Sequence, residues 1–205
     1  TLLAGILFEE PKDFEKEQGL GMAKIASGQT GELKASSAIY RYLAQAIDLQ
    51  TRGHKEQAVK EFIRAMESGL EHPAAHYNLA MLLKQLGKID EARKHLVASL
   101  GHPGLALGAN LALGRLAKNK NDIREATRYL LQALKLADGL TVQQGQSNEL
   151  NQFYETLLAS QTEGDKKQLA KIVDSTLKFL SGPEWLKRLK QARVELAQVK
   201  LFGLP

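Results

Sequence analysis

Residues 77–99 decide the fold: Tyr77-Asn78-Leu79-Ala80-Met81-Leu82-Leu83-Lys84-Gln85-Leu86-Gly87, then Lys88-Ile89-Asp90-Glu91-Ala92, and on through Leu96 to Ser99. Tyr77, Leu79, Ala80, Leu82 and Leu83 recur at helical spacing. Gly87 admits the positive-φ conformation that ends a helix. Asp90 follows near the start of a second helix, where an acidic side chain complements the dipole. Ala92, Leu96, Ser99 and Leu100 form the inner stripe of that helix. The stretch therefore reads as a helical hairpin. Small residues let its two backbones approach, and the large ones fill the gap to whatever packs next.

The pattern repeats every 34 residues on both sides. Ala58, Ala92 and Ala126 share that spacing, as do Gly53, Gly87 and Asn121, and the large apolar residues Phe62, Leu96 and Leu130. Small residues fall in register at Ala46, Ala80 and Gly114, and again at Ala65, Ser99 and Ala133. Five columns held over three units are a repeat, not a coincidence of composition.

These columns resemble the tetratricopeptide repeat, a 34-residue helix–turn–helix with a small residue near the middle of each helix. Unit two matches with Leu79, Ala80, Leu83, Gly87, Ala92 and Leu96, and unit three with Leu113, Gly114, Ala117, Ala126, Leu130 and Ala133. Unit one carries Tyr42, Ala46, Leu49, Gly53, Ala58, Phe62 and Ala65, with Gln45 where the pattern has Leu. The proline that usually follows the second helix is displaced, to Pro73 and Pro103. The resemblance covers about residues 39–140. It implies an all-α, right-handed superhelical solenoid of antiparallel helix hairpins, with flanking capping helices and a concave face lined by the first helices.

Residues 1–38 are expected to form an N-terminal helical flank and linker: the acid-rich stretch Glu9 to Glu17 opens a helix, and Ser27 to Gly31 is the linker. A solenoid needs covered ends, so this helix reads as a cap. Residues 141–205 are expected to add a diverged fourth hairpin, with helices at Asn148–Ser160 and Lys166–Leu180, and a final helix. Ser181-Gly182-Pro183-Glu184 is a stop followed by a start. Trp185, Leu189, Ala192, Leu196 and Val199 follow in 4-3-4-3 spacing. That stripe is either a coiled-coil seam that makes a dimer or the inner face of a helix docked on its own chain. Two heptads do not decide between them. All of this is expected to be one solenoid domain.

Composition excludes several functions. The chain has 205 residues and no cysteine, which removes disulfides, Cys-ligated zinc, iron–sulfur clusters and thiol catalysis. The longest apolar run, Leu2 to Phe8, is far short of the roughly 20 residues of a membrane span. No secretory signal is legible there, and with the missing cysteines this favours the cytoplasm. Thr1 in place of Met reads as a fragment or a processed form. No nucleophile elbow, zincin motif or phosphate loop is present. His72 and His76 stand i, i+4, but Pro73 between them puts His72 outside the helix and nothing completes a metal site. His102 repeats the His-Pro pair, which points to a structural role for both. The carboxylates read as solvated surface charge. No enzyme, cofactor or metal is expected.

The remaining expectation is binding. Projecting the register of the resembled fold gives Leu43, Ile47, Tyr77, Asn78, Met81, Lys84, Leu111, Arg115 and Lys118 as the groove lining. Leu43, Ile47 and Met81 offer apolar contact, Asn78 a donor and an acceptor for a peptide backbone, and Lys84, Arg115 and Lys118 charge for an acidic ligand. One subclass of the family clamps a terminal carboxylate with five polar residues. Only Asn78 matches that set, since Leu43, Ile47, Gly108 and Ala112 occupy the other positions, so such a clamp is not expected. Net charge is −2 over residues 1–38, and then 0, +2 and +3 over the three units. The acidic N-terminal stretch is thus complementary to the basic end of the groove and is expected to fold into it. The function expected is a scaffold or adaptor binding a peptide segment of a partner protein. The alternatives are a regulatory domain of a larger enzyme or signalling protein and, behind it, a nucleic-acid-binding repeat, which the sequence pI near 9.3 suggests.

Overall fold

The computed structural model describes residues 37–142, 144–160, 164–181 and 185–198. The expected N-terminal helix, its linker, its place in the groove, the Gly182–Glu184 start signal and Val199 lie outside the described residues.

The described chain is all-α. Its helices are α1 (Ser37–Thr51), α2 (Lys55–Glu67), α3 (Pro73–Gln85), α4 (Ile89–Ser99), α5 (Pro103–Asn119), α6 (Ile123–Gly139), α7 (Ser147–Ser160), α8 (Lys166–Phe179) and α9 (Trp185–Gln198). A single 3-10 turn, Gln144–Gln146, precedes α7. Two compact units divide between Leu105 and Ala106.

The 34-residue columns translate into repeated turn chemistry. Gly53, Gly87 and Asn121 all have positive φ, at 81°, 74° and 60°. In each case the residue after it reaches back five positions: His54 N–H donates to the Leu49 carbonyl, Lys88 to Leu83, and Asp122 to Ala117. The positive-φ residues themselves donate three positions back, to Gln50, Lys84 and Lys118. This paired pattern satisfies the last carbonyls of the first helix and reverses the chain into the second. Asn121 achieves it without glycine because Asn tolerates the left-handed region better than other side chains do.

In the first unit α1 packs on α2, α3 on α4, and α2 on α3. The core holds Leu43, Ala46, Ala58, Phe62, Ala65, Leu79 and Ala92, all fully buried. Ser99 takes its place in a small-residue column because its hydroxyl donates to the Leu96 carbonyl at 2.7 Å, so burial leaves it satisfied.

In the second unit α7, α8 and α9 all pack against α6. The expected fourth-hairpin helices are present within a residue of their expected ends. Asp122 and Asp165 cap α6 and α8, accepting from Glu125 N–H at 3.0 Å and Gln168 N–H at 2.8 Å. Helices α5 and α6 meet closely at Gly114, where an added Cβ would lie 2.5 Å from Leu130 Cγ. The stripe on α9 is buried within the chain: Trp185, Leu189, Ala192 and Leu196 are at most 3% exposed. Its role is therefore to dock α9 on α6 and α8, and the dimer seam read from the same spacing has no exposed apolar stripe behind it.

Candidate functional site

The nine residues projected onto the groove divide sharply by burial. Leu43 is part of the first unit's core, and Ile47 packs half-buried against it. Tyr77 and Leu111 are each 1% exposed. Met81, Lys84 and Arg115 are half-buried, and Lys118 is exposed. Lys118 is already engaged, its Nζ lying 2.8 Å from Asp174 on α8. Leu43, Tyr77 and Leu111 are thus buried, each one turn before a small-residue column, where a large apolar side chain fills the gap that column opens.

Asn78 behaves differently. It is a polar side chain only 3% exposed. Buried Asn110 shows the usual solution, with its amide donating to the Ala106 carbonyl one turn back at 2.8 Å. Asn78 is thus a polar side chain set among the buried apolar residues Leu79, Leu82 and Leu83 of α3. Met81, three residues on, neighbours it on α3, and Lys84 in turn follows Met81 by three; both are half-buried. Within the first unit these three residues form a short strip that offers an amide, a flexible thioether and an ammonium.

Two polar clusters were not legible in the sequence. The first is histidine-rich. His72 caps α3, its Nδ1 accepting from the Ala74 N–H at 3.1 Å, and its ring lies 6.2 Å from that of His102. His76 meets His95 of α4 instead of pairing with His72, with Nδ1 to Nδ1 at 2.9 Å and the rings stacked. Burial, more than any neighbour, holds His72, His76 and His95 below the ordinary histidine value; His102, for His72, and His76 and Lys94, for His95, add to it, while Glu71 and Glu91 oppose it. Among the described residues no group of three or more His, Cys, Asp or Glu is placed to hold a metal ion. The signal missed was the 19-residue separation of His76 and His95, which places them opposite each other across one hairpin.

The second cluster corrects the reading of all carboxylates as solvated. Asp138, near the end of α6, is 0% exposed. Its carboxylate accepts from Tyr154 Oη at 3.1 Å and Thr141 Oγ1 at 3.1 Å, and pairs with Arg193 Nε at 3.0 Å. Burial raises its pKa, with Arg193, Thr141 and Tyr154 pulling the other way. Burial also raises the Tyr154 pKa, and Asp138 adds to that shift. The cluster ties α7 and α9 to α6 and is architectural. Its sequence signal was the i, i+4 step from buried Leu134 to Asp138.

A 410 Å³ cleft in the second unit is lined by Lys120 and Asp122 of the α5–α6 turn, Ile123 and Arg124 of α6, and Lys166 and Leu169 of α8.

Comparison with known proteins places the repeats. The tetratricopeptide repeat model matches residues 73–101 and 107–139, so the chain carries such repeats at α3–α4 and α5–α6. Human protein O-mannosyl-transferase TMTC3 is 28% identical over 117 residues, which are 56% of this chain and 13% of that protein. The chain therefore spans a small part of that relative. No solved structure matches the chain. No helix of the described residues is long and apolar enough to cross a membrane. Repeats of this kind generally mediate protein–protein interaction and are typically non-catalytic.

Proposed function

We propose that this chain is a protein-interaction module, a scaffold or adaptor segment that binds a peptide stretch of a partner through the first helices of its repeats. The observation that carries this reading is the repeat match at residues 73–101 and 107–139, with polar Asn78 and half-buried Met81 on α3, the first helix of the first matched repeat. An amide has one acceptor and two donors, which matches the carbonyl and N–H of an extended peptide. Met81 adapts to an apolar side chain, and Lys84 adds a cation at the end of the strip.

A pull-down with the 205-residue chain tests this, repeated with Asn78→Ala and with Met81→Ala. Loss of a partner on substitution, with helicity and melting unchanged, supports the strip as the site. Retention of every partner by both variants refutes it. We also read the module as one that can serve inside a larger protein, because its similarity to an O-mannosyl-transferase covers only 13% of that protein. The cysteine-free composition supports a cytoplasmic setting as our proposal.

A further inference from the structure

His76 of α3 and His95 of α4 face each other across their hairpin, with Nδ1 to Nδ1 at 2.9 Å. Both rings are half-buried. Their planes lie 28° apart, offset so far that the 5.2 Å between centroids equals the nitrogen–nitrogen distance plus about one ring radius at each end. Each Nδ1 therefore aims along the line to the other. Two lone pairs held that way repel, so one nitrogen carries a proton and donates it while the other accepts. The 34-residue register places Tyr42 and Glu61, and Asn110 and Tyr129, at the same two positions of the neighbouring hairpins. Of the three hairpins, α3–α4 is the one that sets two groups titrating near neutrality there.

We propose that His76 and His95 form a proton-counting latch between α3 and α4, which stays shut with no added proton or with one and is forced open by two. The neutral pair is joined by one N–H···N bond. A first added proton lands on the Nε2 of the donor ring, and the resulting imidazolium donates through the same Nδ1, a stronger charge-assisted bond. The second proton must go to the accepting Nδ1. It would set two N–H groups and two positive charges head to head at 2.9 Å, so the rings must part. Burial is the main influence on both rings and disfavours their protonation; His76 and Lys94 add to it at His95, while Glu71 at His76 and Glu91 at His95 oppose it. Glu71, Glu91 and Lys94 are exposed, so solvent weakens all three. Helix α2, also packed on α3, supplies none of these charges, and its Glu61 is paired with Arg64. His72, one turn before His76, has its Nδ1 engaged by the Ala74 N–H. The unfolded chain takes both protons while the closed latch resists the second, so the latch loses stability as the pH falls. Acid thereby loosens the hairpin that carries the repeat match at residues 73–101.

Nitrogen NMR on the whole, isotope-labelled chain reads the latch directly. At pH 7.5 one of the two rings should be the Nδ1–H tautomer and the other Nε2–H, with a scalar coupling between the two Nδ1 nuclei across the hydrogen bond. The coupling should survive the first protonation and vanish with the second. Protection of the α4 amides from hydrogen exchange, corrected for the intrinsic effect of pH, should then fall about tenfold, the equilibrium factor of one pKa unit. His95→Gln keeps a hydrogen-bonding side chain but takes no proton, and should hold that fall below about twofold. His54→Gln, at an exposed histidine that makes no side-chain cap bond, should leave the fall unchanged. Absence of the coupling at pH 7.5, the Nε2–H tautomer in both rings, loss of the coupling at the first protonation, or an equal fall in His95→Gln would overturn the proposal.

Discussion

Gly114→Ala is the sharpest test of how the repeats pack. The new Cβ would stand 2.5 Å from Leu130 Cγ and 2.7 Å from Cδ2, with the Leu130 backbone N at 3.4 Å. Leu130 is 0% exposed, so its side chain has no solvent to swing into and α5 must move away from α6. Overpacking of this kind costs about 1–3 kcal/mol, and a contact this short belongs at the upper end. Replacing a mid-helix glycine with alanine returns about 1 kcal/mol through backbone propensity. The net is a destabilisation of about 2 kcal/mol, or roughly 4–8 °C in Tm for a chain of this size. Urea unfolding followed by far-UV circular dichroism reads it. The decisive arm is the background Leu130→Ala, which alone costs about 2–5 kcal/mol. With Leu130 cut back the clash vanishes, and Gly114→Ala should then stabilise by about 1 kcal/mol. A change of sign between the two backgrounds is the expected result. Stabilisation by Gly114→Ala in the unmodified protein, or the same sign in both backgrounds, would refute the close-approach argument.

Three further expectations concern other parts of the fold. Asp138→Ala removes the shared acceptor of Tyr154, Thr141 and Arg193 and should cost about 3 kcal/mol, the low end for a broken buried pair because Arg193 keeps some solvent; limited proteolysis should show α9 released first. Gly87→Ala places a Cβ at φ 74° and should cost about 1–2 kcal/mol in urea midpoints, whereas Asn121→Gly should be close to neutral. His72, His76 and His95 are held below the ordinary histidine value when folded, so the unfolded chain binds more protons just below that value. Their contribution is fully present above about pH 6.5 and is lost as the pH falls from there through the folded values. Unfolding midpoints at pH 7.5, 6.5 and 5.5 should decline in that order, and His95→Gln should flatten the decline.

The hairpins were legible because their information is local and periodic. Alanine, glycine and large apolar columns at 34-residue spacing are written in the chain itself, and Asn121 could be read as a glycine equivalent from register alone. The helices of residues 147–198 were also visible, from periodicity and stop signals. What covers α9 was not, because the stripe Trp185, Leu189, Ala192, Leu196 suits a second copy and a neighbouring helix equally well, and only tertiary placement separates them. The groove lining suffered in the same way. Register assigns a helix face, but Leu43, Tyr77 and Leu111 are buried while Met81, Lys84 and Arg115 keep partial exposure. Asp138 was missed because its three partners lie at 141, 154 and 193, a constellation that no short motif encodes.

The crowding of α6 has a consequence for how the second unit forms. A helix covered by α7, α8 and α9 cannot reach its final protection from water until all three have docked, and the last of them carries Arg193, far along the chain from Asp138. Assembly must therefore close long loops before α6 is complete, which slows folding relative to the neighbour-by-neighbour growth of a plain repeat array. In hydrogen exchange α6 should accordingly open only with the whole unit, as the slowest-exchanging segment of a single cooperative block.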